Sequence, residues 1–295
     1  MNSFFNFKNN IKTQYCHSER NSANGFFRSD IFFGHLQLIM NLTEKDIFDL
    51  LNEKAELYNS PDFITDDPIQ IPHRFSLKQD IEISGFLSAS IAWGNRKSII
   101  NDANKMMELM GNSPFDFVMN FTDSDLDRIP QKAIHRTFNH EDFVFFLKNF
   151  RRIYTQFESL EDVFLINENE SNFSHSIERF RNHFISEVHR GQKHVSSPYK
   201  NSASKRLIMF LRWMVRKDKK GVDFGIWEKI DPKYLSVPLD VHTANISRKL
   251  GILTRKQNDW KAVEELDFIL RKYNAVDPAV YDFALFGLGV SKEFE

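Results

Sequence analysis

Apolar residues recur along most of this chain at intervals of three and four, the spacing that places them on one face of an α-helix. Ile47, Leu50, Leu51 and Tyr58 follow Thr43 and Asp46, whose separation of three is a capping-box pattern. Ser76 and Gln79 repeat that pattern and predict a helix through Ile81, Phe86 and Leu87 to about Ala92. Asn95 caps the next helix, with Ile99, Ala103, Met106, Met107 and Met110 on one face and Gly111 where a left-handed C-cap is expected. Asn139 precedes a stripe of Phe143, Phe146, Leu147, Phe150 and Ile153. Ser159 precedes a short helix, and Phe173, Ile177, Phe180, Phe184 and Val188 keep the same period. These Met and Phe stripes read as core.

Toward the C-terminus a helix is predicted over residues 204–217. Leu207, Phe210, Leu211 and Met214 face inward, while Lys205, Arg212 and Arg216 share another face as a cationic stripe. After a connector over 219–239, Asp240 stands as the N-cap of a helix through Ile246 and Leu250, with Gly251 placed to end it. Two more helices follow Asp259 and Asp277-Pro278, where proline takes the first helical position. Residues 61–74, with three prolines and several acids, read as a connecting loop, and no segment alternates convincingly with a period of two. Residues 1–39 sustain no period and read as a poorly ordered leader.

Composition supports an all-α chain. Thirty Phe in 295 residues, against 11 Gly and 9 Pro, suit long helices better than a turn-rich sandwich or barrel. The single thiol, Cys16, cannot form an internal disulfide or a four-thiolate metal site, which fits a reducing cytoplasm. The apolar run over 31–40 is far short of the ~20 residues that span a bilayer, so no membrane partner is expected. The net charge of −1 hides an asymmetry: residues 200–261 hold 15 Lys and Arg against 6 Asp and Glu. A region of that sign attracts polyanions such as nucleic acid, although solvated helix faces would look the same.

Two residues of this region carry candidate chemistry. Lys205 lies in the first turn of its helix, beside Arg206 and the positive helix end; a neutral amine there is a nucleophile able to form a Schiff base. Asp240, 35 residues on, could take up protons or stabilise developing positive charge. Each also has a plain reading, as a surface lysine and as a helix cap. Trp93 and Trp213 are large enough to stack on an unstacked base, or to be core. His242 is open to phosphate contact or to a structural hydrogen bond.

Pro238-Leu239-Asp240-Val241-His242-Thr243, running on through Ile246, Arg248 and Leu250-Gly251, resembles the "P-V-D-x-H-V…R-x-L-G-L" segment of helix-hairpin-helix DNA glycosylases. Ser204-Lys205-Arg206-Leu207 falls where those enzymes carry "G-x-G-x-K-x-A". ISGFLSASIAWGN over 83–95 is similar to their "L-x-x-x-I-L-S-Q-Q-T" helix and turn, and YDFALFGLGV over 281–290 to their closing helix. More closely, SASKRLIMFLRWMVRKD, PLDVHTANISRKLGILTRKQNDW and YDFALFGLGV together look like a bacterial family catalogued as domain of unknown function 2400.

The glycosylase resemblance implies a two-lobed, all-α, helix-hairpin-helix glycosylase-like fold with a cleft between the lobes. Residues 77–235 would form a central domain, and 40–76 would pack with 236–295 as the other lobe. It implies excision of a damaged base, an oxidised purine being one candidate, with Lys205 as Schiff-base nucleophile and Asp240 as the catalytic acid residue. Ser202, Ser204, Arg206, Arg212, Arg216, His242 and Arg248 are the expected DNA contacts; Trp93, Asn95 and Trp213 would touch or intercalate beside the base. The partner would be double-stranded DNA bound by a monomer, with no metal and no cofactor. The alternatives are a nucleic-acid-binding protein that kept the scaffold without turnover, and a helical protein-interaction domain. This chain departs from the glycosylase pattern in having no glycine in Ser202-Ala203-Ser204.

Overall fold

The computed structural model describes residues 42–291, so the leader expected over 1–39 lies outside the described residues. The helices are α1 (Glu44–Tyr58), α2 (Asp62–Thr65), α3 (Lys78–Ser90), α4 (Arg96–Leu109), α5 (Pro114–Asn120), α6 (Asp123–Asp127), α7 (His140–Tyr154), α8 (Ser174–Phe184), α9 (Lys205–Val215), α10 (Val241–Lys249), α11 (Trp260–Tyr273) and α12 (Tyr281–Ser291). Most starts follow their caps. Thr43 and Asp46 form the capping box of α1, the Asn95 side chain accepts the Ser98 N–H, and Asn139 with Asp142 forms the box of α7.

Four expectations are corrected. The Ser76–Gln79 box is not made: Leu77 is the N-cap of α3, and Gln79 donates instead to the Glu158 carbonyl. That helix is held by burial on all sides, every residue from Ile81 to Ser90 being buried, so a side-chain cap is dispensable. Helix α8 stops at Phe184, and Val188 is 94% exposed rather than core. A two-stranded hairpin, β1 (Ala133–His135) and β2 (Phe138–Asn139), pairs Ala133 with Asn139 and His135 with Phe138; strands this short cannot display an alternation. Finally, residues 61–74 are not an open loop but α2 and two 3₁₀ turns, with Ile69 and Ile71 fully buried.

The core centres on Phe86 of α3, whose ring lies 5.3–5.8 Å from those of Phe146, Phe150, Phe180, Phe184 and Phe210. Gly85 lets α9 approach α3, since a Cβ there would meet Met214 at 3.3 Å. Beside the rings, the buried Glu82 carboxylate accepts from Tyr154 Oη (2.8 Å), Trp227 Nε1 (2.7 Å), Leu160 N (3.1 Å) and Ser159 Oγ. Burial pushes its pKa up while these donors oppose the shift. Helix α12 packs on α1, where Gly287 faces the Tyr58 ring, and on α10, where Gly289 faces His242. Among the described residues no helix is long and apolar enough to cross a membrane.

The largest departure concerns the cationic stripe. Arg212 and Arg216 are each only 2% exposed, and their anions come from the connector after α9 and from the region where α12 begins. Arg212 Nε donates to Asp223 (3.2 Å) and its Nη1 to Asp282 of α12; Arg216 donates to Asp277 (2.9 Å), Asp218 (2.7 Å) and Asp223 (3.2 Å). Neither guanidinium faces solvent where a DNA backbone could reach it. We predict that Arg212→Met costs about 3–5 kcal/mol, because it leaves the largely buried Asp282 without its cation and Asp223 with Arg216 alone. A urea-unfolding midpoint close to that of the parent protein would show that the buried network is not what joins α9 to α12.

Candidate functional site

Lys205 is the first residue of α9, and the two preceding turns of chain determine where its side chain goes. Asn201 and Ser204 both adopt the left-handed region, at φ 59° and 47°. This is the segment whose lack of glycine set it apart; Asn tolerates the conformation readily, whereas Ser204 does so at a cost of ~1–2 kcal/mol. Local bonds hold it there: Ser204 N donates to Ser202 Oγ (3.2 Å), and Asn201 Nδ2 to Asp259 Oδ2 (3.0 Å). A bridge also pairs Ser202 with Asp259.

Asp240 caps α10 with one oxygen and leaves the other free for a second task. Its Oδ1 accepts the Thr243 N–H at 2.7 Å, while Oδ2 lies 3.6 Å from Lys205 Nζ. The side chains remain 35% and 12% exposed, so the pair is neither sealed in the core nor loose on the surface. Both line a cavity of about 690 Å³, with walls that include Asp67, Trp93, Arg96, Ser202, Ser204, Arg206, His242, Asp282 and Phe286. That volume suits a small planar ligand.

The other expected site residues divide. Trp93, Ser202, Ser204, Arg206 and His242 line the same cavity as the pair. Arg212 reaches its wall only as a buried partner of Asp282. Trp213 is fully buried in the core and does not line the cavity, which removes it as a base contact. The Asn95 side chain is occupied in capping α4. Arg248 is committed inside the chain: its Nε and Nη2 donate to the carbonyls of Arg255 (2.8 Å) and Lys256 (3.0 Å) and to Asn258 Oδ1 (2.6 Å). Through Arg255, which grips Asp259 and holds that carboxyl well below its usual range, these bonds connect α10 to the turn before Lys205.

Three cavity residues had no signal in the sequence that singled them out. Asp67 belongs to a segment that reads as a loop, Arg96 follows a cap, and Asp282 lies in the closing helix. Burial pushes Asp282 up to about 7, helped by the neighbouring Asp240 and Asp223 and opposed by Arg212. Burial likewise raises Asp67.

Behind the cavity wall, the Trp93 ring is stacked on His194 at 5.7 Å, meets His135 edge-on at 5.1 Å, and lies 4.7 Å from the Arg206 guanidinium. His135 is fixed by Asp102 (2.9 Å) and the Trp93 carbonyl (2.9 Å). Burial pushes the His194 imidazole down to about 4; Arg206 and Lys193 act in the same direction and Asp142, 3.2 Å away, against it.

Residues 67–291 match the family described as protein of unknown function (DUF2400). No curated protein and no solved structure matches the chain.

The His194 shift predicts how stability varies with pH. An unfolded histidine takes up its proton near 6.5, whereas the folded imidazole stays neutral down to about 4. The unfolded chain therefore binds more protons in that window. His194 contributes its full stability above pH 6.5 and loses it as pH falls toward 4. Urea midpoints of the parent protein and of His194→Gln should converge as pH is lowered from 7 to 4. A constant gap would show that this imidazole does not titrate differently on folding.

Proposed function

We propose that this chain, which belongs to the DUF2400 family, is a DNA base-excision glycosylase acting on a damaged base flipped into the cavity beside Lys205 and Asp240. One observation carries the reading. An amine and a carboxylate from helices 35 residues apart in sequence come within 3.6 Å at the edge of an open cavity, with the carboxylate oxygen that is not engaged in capping turned to the amine.

In this reading Asp240 Oδ2 takes a proton from Lys205, leaving a neutral amine. The amine attacks the sugar C1′; the N–C1′ bond forms as the glycosidic bond breaks, and the base leaves with the bonding electron pair and takes up the proton that Asp240 had accepted. The carboxylate restored in this way stabilises the positive charge on the sugar. Opening of the ring yields a Schiff base, from which loss of a C2′ proton expels the 3′ phosphate by β-elimination. The proposed frame is the two-lobed glycosylase arrangement, with 77–235 as one lobe and 40–76 with 236–295 as the other. It is supported by the packing of α1 and α10 on α12 and of α9 on α3. Ser202, Ser204 and His242, at the cavity, would meet the DNA backbone around the extruded nucleotide.

Borohydride trapping on duplexes bearing single lesions tests the proposal. The parent protein should give a covalent adduct with at least one lesion, and Lys205→Gln none. Asp240→Asn should slow base release by ~100-fold or more yet leave the urea midpoint nearly unchanged, because Asn also caps helices well. Absence of both base release and adduct across oxidised, deaminated and alkylated bases would refute enzymatic excision.

A further inference from the structure

Of the cations that line the cavity, two make no ion pair among the described residues: Arg96, whose guanidinium lies 5.3 Å from the Phe286 ring centroid, and Arg206, which is set against Trp93 and hydrogen-bonded to the chain. Lys205 is paired with Asp240, and Arg212 with Asp282 and Asp223. Among the described residues Arg206 makes no ion pair; its Nη1 donates to the Ser90 carbonyl, and its guanidinium lies 4.7 Å from the Trp93 ring centroid. Burial without an anion pulls even this strong base down to about 10. A guanidinium held largely away from water, with most of its five donors unclaimed, is costly unless something completes it. A fixed planar fork of donors beside an aromatic wall suits the edge of a flat ring carrying two adjacent acceptors. Among nucleobases the 6-oxopurines offer that pair, O6 and N7; adenine presents an amino group at position 6 instead, which would set donor against donor.

We propose that Arg206 reads the O6/N7 edge of a 6-oxopurine, making this the substrate class of the cavity. The inference rests on the reading of the cavity as a nucleobase site and goes beyond it in naming the base and the residue that selects it. Arg206 is half-buried, and the Ser90 carbonyl and the Trp93 ring hold its guanidinium against the cavity wall.

The test compares hypoxanthine with adenine, which differ in the oxo or amino group at C6 and in the hydrogen that moves to N1. Each is placed in the same duplex opposite an abasic analogue, on a 2′-fluoro sugar that resists cleavage. Fluorescence anisotropy should show the parent protein binding the hypoxanthine duplex roughly ten- to hundred-fold more tightly, the range a bidentate arginine contact provides. Arg206→Lys keeps the charge but loses the fork, so it should abolish the preference while leaving the salt dependence of binding unchanged. Equal affinity of the parent protein for the two duplexes overturns the proposal, as does a preference that survives in Arg206→Lys. A uniform loss in an Arg206→Gln variant, with the salt slope reduced by about 0.9, would assign Arg206 to a phosphate and also overturn it. Preference for hypoxanthine without any trapped adduct or base release would leave this inference standing while the excision reading fell.

Discussion

A buried guanidinium shared between two carboxylates holds the functional half of this protein together. Arg212, in the middle of α9, binds Asp223 from the following connector and Asp282 from α12. Taking three charges out of water is expensive, and their mutual attraction does little more than offset it. What such a cluster supplies is definition, because any other packing of α9 against α12 would leave a bare charge in the interior. With α9 fixed on one side by this clamp and on the other by the phenylalanine layer around Phe86, the direction of Lys205 is set. Asp282 also stands at the cavity wall, so the clamp and the site share a residue.

The second constraint is the turn that delivers Lys205. Two left-handed residues, neither of them glycine, bring the chain into α9 at the required angle. The strain at Ser204 is tolerated because the surroundings over-determine it: Ser202, Asn201 and Asp259 bond across the turn, and Arg255 and Arg248 extend those bonds to α10. Residues that read as surface cations therefore act largely as internal braces. Hydrogen bonds thus run from the turn before Lys205 to Arg248 in the last turn of α10, so the two helices are joined by more than the Lys205–Asp240 ion pair.

This redistributes the basic region. Arg212 and Arg216 neutralise buried acids, Arg248 and Arg255 brace loops, and Lys220 and Lys229 pair with Glu56 and Asp162. The cavity is left with Lys205, facing its carboxylate, and with Arg96 and Arg206, which make no ion pair among the described residues. Selectivity at such a site comes from two placed donors against a short aromatic wall more than from a broad positive field.

Helix positions were legible in the sequence because their signals are local. Caps such as Thr43, Asn95, Asn139, Asp240 and Asp259 bond to backbone three residues away, and the apolar stripes need only a period. Lys205 and Asp240 were legible as candidates through spacing and family likeness. Their meeting at 3.6 Å was not, since it depends on how α9, α10 and α12 pack. The fate of each arginine was equally hidden: nothing local distinguishes Arg212, buried against carboxylates from two segments, from Arg206, left unpaired beside Trp93. Partners 11, 70 or 116 residues distant decide whether a charge is brace, clamp or reader, and only the tertiary structure brings those partners within reach.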